Sequence, residues 1–125
     1  MTPVFVYGTL MTGEENDGLL SAFEHQPASC RGTLYRMPAG YPVLVPSPEG
    51  RPIHGELIKL PEFGMLRVLD HFERVAQELY LRREVEVNLG GSVTPAWAYI
   101  LTPDRVRRRK LMKLTVDDWR KLRAY

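Results

Sequence analysis

Apolar and polar positions in this chain fall into short blocks rather than long stretches. Runs rich in β-branched and aromatic residues, bounded by glycine and proline, predict strands at residues 4–7, 30–37, 53–60, 81–89 and 94–101, with a further short strand at 41–45. Asn88-Leu89-Gly90-Gly91-Ser92 separates two of them and predicts a hairpin, because paired glycines supply the positive φ angles a tight turn requires. No repeat and no long linker divides the chain, so residues 1–125 are read as a single, β-rich domain.

Two segments carry a helical signature. A helix is predicted from Pro61, tolerated in a first turn, to Glu73; Met65, Leu66, Leu69 and Phe72 share one face, with Arg67, His71 and Arg74 opposite. Near the C-terminus Thr115 reads as a helix cap, with Asp118 reaching back in a capping box and Leu114 and Trp119 forming a hydrophobic staple. Trp119 and Leu122 would then face the sheet.

Composition narrows the class. A chain of 125 residues, 44% apolar and 26% charged, can bury a core of its own and is unlike a disordered or fibrous sequence. The single cysteine, Cys30, excludes an intramolecular disulfide, and His25, His54 and His71 show no tight ligand spacing, so no metal site is expected. No apolar run approaches the roughly 18 residues of a membrane span and no basic-then-apolar leader opens the chain. The expectation is a cytoplasmic protein that does not engage a membrane.

The net charge of +2 conceals an asymmetry. Residues 1–100 carry 8 Lys/Arg against 12 Asp/Glu, whereas residues 101–125 carry 9 against 3. Arg105, Arg107, Arg108, Arg109 and Lys110 form a cluster of the kind that meets nucleic-acid phosphates. It has no interleaved aromatic platform, so a solvated cluster facing the acidic body or a partner subunit is the favoured reading. Nucleic acid is not an expected partner, and the sequence leaves the oligomeric state open.

Candidate chemistry sits at two places. The strand Val4-Phe5-Val6-Tyr7 runs directly into Gly8-Thr9-Leu10, followed by Gly13 and Asn16. Such a turn either aims successive backbone amides at an anion or simply ends a core strand. Glu73 falls within the apolar stripe of the middle helix, four residues after Leu69 and seven after Leu66, so its carboxylate is expected to point inward. Burial of a charged carboxylate is costly unless it is paired, hydrogen-bonded or protonated, and the same burial lifts its pKa toward the range useful for proton transfer. Either Arg82 or Arg83 neutralises Glu73, or the helix end frays and releases it to solvent, or the residue carries a proton. Asp70, at the margin of the stripe, and Glu56, on a strand, are rival carboxylates that the periodicity turns inward less firmly.

Taken in order, Val4 to Leu10 with Gly13 and Asn16, Gly55-Glu56, Leu69-Asp70-His71-Phe72-Glu73, Tyr80-Leu81-Arg82 with Val85, and Ala96-Trp97-Ala98-Tyr99 resemble the γ-glutamylcyclotransferase-like family, with its γ-glutamylamine cyclotransferase and AIG2-like members. Each motif is short, but the ordered set spans most of the chain. The resemblance implies an α+β fold, a small mixed-strand β-barrel with flanking helices, and a cavity beside the first-strand turn. It implies an enzyme that cyclises a γ-glutamyl amine or γ-glutamyl amino acid to 5-oxoproline, releasing the free amine without a cofactor. By the same resemblance Glu73 is the acid/base, and Tyr7, Gly8, Thr9 and Leu10 bind the small-molecule substrate. Tyr80 and Tyr99 are candidate supporting donors, or else core aromatics with hydrogen-bonded tips.

The implied reaction suits such a site. The α-amine attacks a γ-carbonyl to which it is already tethered, so one carboxylate that takes a proton from the amine and returns it to the leaving nitrogen suffices. The alternative is a module of the same fold that binds a small carboxylate or amine and does no chemistry. Arg74-Val75-Ala76-Gln77 stands where the family often has a small, Gly- or Ser-led turn, and the basic tail lies outside the resemblance.

Overall fold

From Pro3 to Val6 the first strand is apolar because neighbours pair with it on both edges while side chains pack on both its faces. In the computed structural model, which describes residues 1–124, the strands are β1 (Thr2–Val6), β2 (His25–Arg36), β3 (Pro42–Pro46), β4 (Arg51–Leu60), β5 (Leu81–Leu89), β6 (Ser92–Ile100) and β7 (Met112–Lys113). Helix α1 (Leu66–Phe72) lies between β4 and β5, and α2 (Pro103–Arg108) follows β6. β1 pairs antiparallel with β4 and parallel with β6 at Val4↔Trp97. The ring continues antiparallel from β4 to β2 and from β2 to β3, and closes parallel from β3 to β6 at Leu44↔Ile100. The result is a closed, mixed barrel of five strands with β5 and β7 outside it.

Alternation along the strands divides the core into two sets. Phe5 and Tyr7 of the first strand and its exit pack with Leu34, Leu44, Ile53, Leu57 and Ala98. Val4 and Val6, on the opposite face, pack with Leu66 and Leu69 of α1 and with Tyr80, Tyr99 and Val106. The two leucines thus anchor α1 against the first strand. The β5–β6 hairpin closes as expected: Gly90 and Gly91 have φ of 60° and 94°, and the Gly91 amide donates to Asn88 Oδ1 at 3.0 Å.

Several expected boundaries are corrected. β2 begins at His25 rather than residue 30; its first half pairs with β4 and its second with β3, and Pro27 with polar neighbours masks that first half. The middle helix is shorter than 61–73. Glu62 is extended, residues Phe63–Met65 form a 3₁₀ turn around Gly64, and only Leu66–Phe72 are α-helical. A glycine costs about 1 kcal/mol in a helix interior, which favours the later start. Phe72 is partly exposed rather than part of the buried face.

The C-terminal start is displaced too. Residues 112–117 are held extended: the Leu114 amide donates to the Leu34 carbonyl at 2.8 Å, Arg51 donates to the Thr115 carbonyl at 2.6 Å, and the His54 amide donates to the Asp117 carbonyl at 2.8 Å. A helix cannot begin at Thr115, and the expected capping box and staple do not form. Instead Asp118 accepts from the Arg120 amide at 2.9 Å and a 3₁₀ helix covers Trp119–Ala124. Leu114 and Trp119 pack into different halves of the core.

Helix α2 has no counterpart among the expected elements, although its start is well marked. Thr102 Oγ1 accepts from the Arg105 amide at 3.4 Å, and Pro103 occupies the first turn. At its end Lys110 adopts a left-handed conformation, φ 54°, while the Leu111 amide reaches the Val106 carbonyl and the Lys110 amide the Arg107 carbonyl. That is a Schellman closure with lysine where glycine is usual. Among the described residues no helix is long and apolar enough to cross a membrane.

Candidate active site

The site begins where the first strand leaves the barrel. Tyr7 is buried, and its hydroxyl lies between β3 and β6, accepting from the Leu44 amide at 3.0 Å and donating to the Tyr99 carbonyl. These parallel strands share a single bridge, so the phenol supplies a rung between them. Gly8 comes next. Its φ is not positive; a Cβ there would sit 3.1 Å from Pro42 Cγ, so the glycine is explained by close approach of the proline ring rather than by an unusual backbone angle.

Residues 8–11 then turn tightly, the Met11 amide donating to the Gly8 carbonyl at 3.1 Å. Asn16 secures the turn from outside, its amide to the Thr9 carbonyl at 2.8 Å and its side chain to Thr9 Oγ1 at 3.0 Å. Further along, the Thr12 amide donates to Glu56 Oε1 at 2.7 Å and the Gly13 amide to Asp17 Oδ2 at 3.0 Å. The amides of Gly8, Thr9 and Leu10 have no acceptor among the described residues. They belong to a segment that lines a cavity of about 560 Å³.

Glu73 lines the same cavity. Its amide still closes the helical ladder onto the Leu69 carbonyl at 2.8 Å, and it caps the C-terminal end of α1. This end of a helix carries partial negative charge, an unfavourable place for a carboxylate. The side chain is half-buried, and among the described residues no cation or hydrogen-bond donor reaches it. Burial pushes its pKa up from 4.5 to about 7.

The rival carboxylates are spoken for. Asp70 accepts from the Tyr99 hydroxyl at 2.7 Å and pairs with Arg82 at 3.3 Å. Arg82 also stacks on Phe63 and Trp97, and Arg83 donates to the Arg82 carbonyl, so neither arginine neutralises Glu73. Glu56 accepts from His25 Nδ1 at 2.9 Å besides Thr12; burial opposes its charge, but these hydrogen bonds outweigh burial and hold its pKa below the ordinary carboxylate value. The frayed-helix alternative is likewise not what the structure shows, since the Glu73 side chain lies at the cavity wall.

Tyr80 and Tyr99 complete that wall, and both hydroxyls already donate within the protein: Tyr80 to the Pro42 carbonyl at 2.8 Å, Tyr99 to Asp70. Burial raises the pKa of Tyr7, Tyr80 and Tyr99, followed at Tyr80 by the Glu73 charge, at Tyr99 by the hydrogen bond to Asp70 and at Tyr7 by neighbouring Tyr80. All three phenols therefore stay protonated around a carboxylate that lacks a partner.

The structure thus brings Tyr7, Gly8, Thr9, Leu10, Glu73, Tyr80 and Tyr99 to one cavity. It keeps Asn16 of the opening motif at the site and adds residues for which the sequence carried no signal, notably Glu15 and Ala39. Tyr41, which donates to Glu15 Oε2 at 3.5 Å, stands at the same opening. The rim beyond Glu73 is formed by Arg74 and Leu79. Arg74 and Glu78 are both left-handed, φ 54° and 58°, where a glycine would be cheaper. Among the described residues no group of three or more His, Cys, Asp or Glu is placed to hold a metal ion.

Comparison with known proteins points the same way. A family model described as gamma-glutamyl cyclotransferase, AIG2-like, matches residues 4–121. A gamma-glutamylaminecyclotransferase of Bos taurus is 32% identical over 113 residues, covering 82% of this chain and 66% of the bovine one. A gamma-L-glutamyl-butirosin B gamma-glutamyl cyclotransferase of Niallia circulans is 28% identical over 130 residues, covering 98% of this chain and 78% of that protein. The crystal structure of YkqA from Bacillus subtilis superposes with a TM-score of 0.73 at 26% identity, covering 96% of this chain and 40% of YkqA. The chain spans just under two thirds of the bovine relative and well under half of YkqA.

Proposed function

The chain belongs to the gamma-glutamyl cyclotransferase, AIG2-like family, and from that premise we propose that it converts a γ-glutamyl amine or γ-glutamyl amino acid into 5-oxoproline and the free amine. The observation that carries the reading is the position of Glu73: an unpartnered carboxylate with a pKa of about 7, facing the cavity into which the Gly8 to Leu10 turn also opens.

The chemistry follows from these groups. At neutral pH a carboxylate of pKa about 7 is present in both forms, so it can take a proton from the substrate's α-ammonium and return one later. The freed amine attacks the γ-carbonyl carbon, and the C–N bond of the five-membered ring forms as the carbonyl becomes an oxyanion. The Glu73 carboxylic acid then protonates the leaving nitrogen and the amide C–N bond breaks as the carbonyl is restored; the regenerated carboxylate takes the second proton from the ring nitrogen, and that proton leaves with the free amine as its ammonium. Nucleophile and electrophile share one molecule, so holding the chain folded supplies much of the acceleration.

The unpaired amides of Gly8, Thr9 and Leu10 are the donors available for the anionic groups of the substrate, its α-carboxylate and the developing oxyanion. Tyr7, Tyr80 and Tyr99 contribute as a rigid, protonated wall; their oxygens keep acceptor capacity while their hydrogens remain committed to the protein. Arg74 and Glu15 at the opening place charges of both signs where the leaving portion of the substrate would emerge.

Incubation of the purified protein with a panel of γ-glutamyl amines and γ-glutamyl amino acids, followed by chromatographic detection of 5-oxoproline, tests the proposal. Stoichiometric 5-oxoproline and amine support it. A ligand retained without product across the panel favours the non-catalytic module instead.

A further inference from the structure

The basic run after β6 does not act as one patch. Arg107 and Arg108 pair with Asp104 on their own helix, at 3.6 and 3.1 Å, and Lys110 closes the helix end. Arg105 and Arg109, one helical turn apart, turn instead toward the loop that follows Glu73. The Arg109 guanidinium donates from Nη1 to the Leu79 carbonyl at 2.9 Å and from Nη2 to the Glu78 carbonyl, while Arg105 pairs with the Glu78 carboxylate at 3.4 Å. Within the loop the Gln77 and Leu79 amides both donate to the Arg74 carbonyl at 3.2 Å, so the arginines grip the far end of a closed unit.

That unit needs an outside hold. It carries two left-handed non-glycine residues, Arg74 and Glu78, and its internal hydrogen bonds, to the Arg74 and Val75 carbonyls, close it on itself without tying it to the barrel. Its two ends are Glu73 and Tyr80, both on the cavity wall, and Arg74 and Leu79 form part of the rim. A planar guanidinium with two parallel N–H groups can fix two successive carbonyls at once, which an ammonium cannot.

We propose that Arg109, seconded by Arg105, is a positioning residue for the site: its fork clamps the 74–79 loop over Glu73 and so keeps water away from that carboxylate. The inference deepens the proposed function, since the carboxylate it shields is the one given the proton-transfer role. The charged and titratable groups that share the cavity wall with Glu73 are Tyr7 from the end of β1, Tyr41 before β3, Tyr80 before β5, Tyr99 from β6, and Arg74 and Glu15 at the opening, while Asp70 lies three residues back on its own helix. Of these only Arg74 belongs to the clamped loop, and Arg109 itself bonds to none of them, its fork ending on the Glu78 and Leu79 carbonyls.

The test is a carboxylate titration that needs no turnover. Protein labelled with ¹³C at glutamate side chains, with Glu73→Gln to assign the resonance, is titrated as wild type, Arg109→Ala and Arg109→Lys. Opening the loop hydrates Glu73, so its midpoint in Arg109→Ala should fall by roughly one pH unit or more. Arg109→Lys should move in the same direction because charge without the fork does not hold two carbonyls, and it serves alone should the alanine variant not fold. The acid limb of kcat/KM should shift with the midpoint. A Glu73 midpoint unchanged from wild type, or full restoration by lysine, overturns the clamp. A shifted midpoint in a protein that releases no 5-oxoproline leaves the clamp standing and removes the catalytic reading; turnover with an unshifted midpoint does the reverse.

Discussion

Asp70 and Glu73 lie three residues apart at the C-terminal end of one short helix, yet Asp70 is held by Arg82 and Tyr99 while Glu73 meets no partner. The contrast separates structural from chemical carboxylates more sharply than burial alone. A paired acid is already occupied; an unpaired one at the negative end of a helix persists at a cost in stability.

That cost is measurable. The folded-state pKa of Glu73, about 7, lies above its unfolded value near 4.5, so the folded protein binds the extra proton and loses stability as pH rises through this window. At about 1.4 kcal/mol per unit the loss amounts to about 3 kcal/mol above neutrality. Glu73→Gln should therefore be more stable than wild type near pH 8, by up to this amount, and equal to it near pH 4.5. Urea denaturation at the two pH values checks the difference.

Asp70→Asn tests the rival. Asparagine still accepts from Tyr99, and the Arg82 pair is partly exposed, worth about 1 kcal/mol or less. The variant should change kcat/KM by less than roughly tenfold, well short of the loss expected at a proton-carrying residue. A collapse of activity equal to that of Glu73→Gln would transfer the proton to Asp70.

Removing one hydroxyl should loosen the barrel. Tyr7→Phe deletes the rung between β3 and β6 and leaves the buried Leu44 amide and Tyr99 carbonyl without it. The expected loss is about 1–3 kcal/mol of unfolding free energy, read from the shift of the urea midpoint at constant slope. An unchanged midpoint would mean that the two strands hold each other unaided.

The loop after the turn depends on His25 and Glu56. Burial works against the His25 imidazolium, but the hydrogen bond to Glu56, the Leu20 carbonyl at 3.0 Å and the Glu56 charge outweigh it and raise the histidine pKa above 6.5. A raised histidine pKa gives stability that is complete below 6.5 and disappears as pH climbs through the folded value; the lowered Glu56 pKa gives stability above 4.5 that disappears on acidification. The excess stability of wild type over Glu56→Gln should accordingly be largest near pH 5.5, about 1–3 kcal/mol, and shrink as pH rises from 6.5 through the raised folded value of His25. Thermal unfolding across this range reads it.

What the sequence made legible was whatever depends on local pattern. The hairpin at Gly90-Gly91, the apolar strand at Val4 to Tyr7 and the inward lean of Glu73 follow from turn chemistry and periodicity, and the ordered motifs pointed to the mixed barrel. What stayed hidden depends on contacts between distant segments. Nothing near Tyr7 indicates that its hydroxyl bridges two strands 37 and 92 residues away. The capping signal at Thr115 was locally sound and was overridden by hydrogen bonds to β2 and β4. The Thr102-Pro103 start of α2 is a local signal, but the helix it opens is only six residues long and buries a single side chain, Val106, so no apolar periodicity accompanies it. That two of those arginines hold the loop behind Glu73 has no local signature at all.

The central claim is that Glu73 carries the proton in a γ-glutamyl cyclisation. Its most direct test is the turnover of Glu73→Gln beside wild type on a γ-glutamyl amine that the wild type consumes, with substrate binding followed separately by calorimetry. The account predicts a loss of about 10²–10⁴ in kcat with affinity largely kept; 5-oxoproline released by Glu73→Gln at the wild-type rate would contradict it.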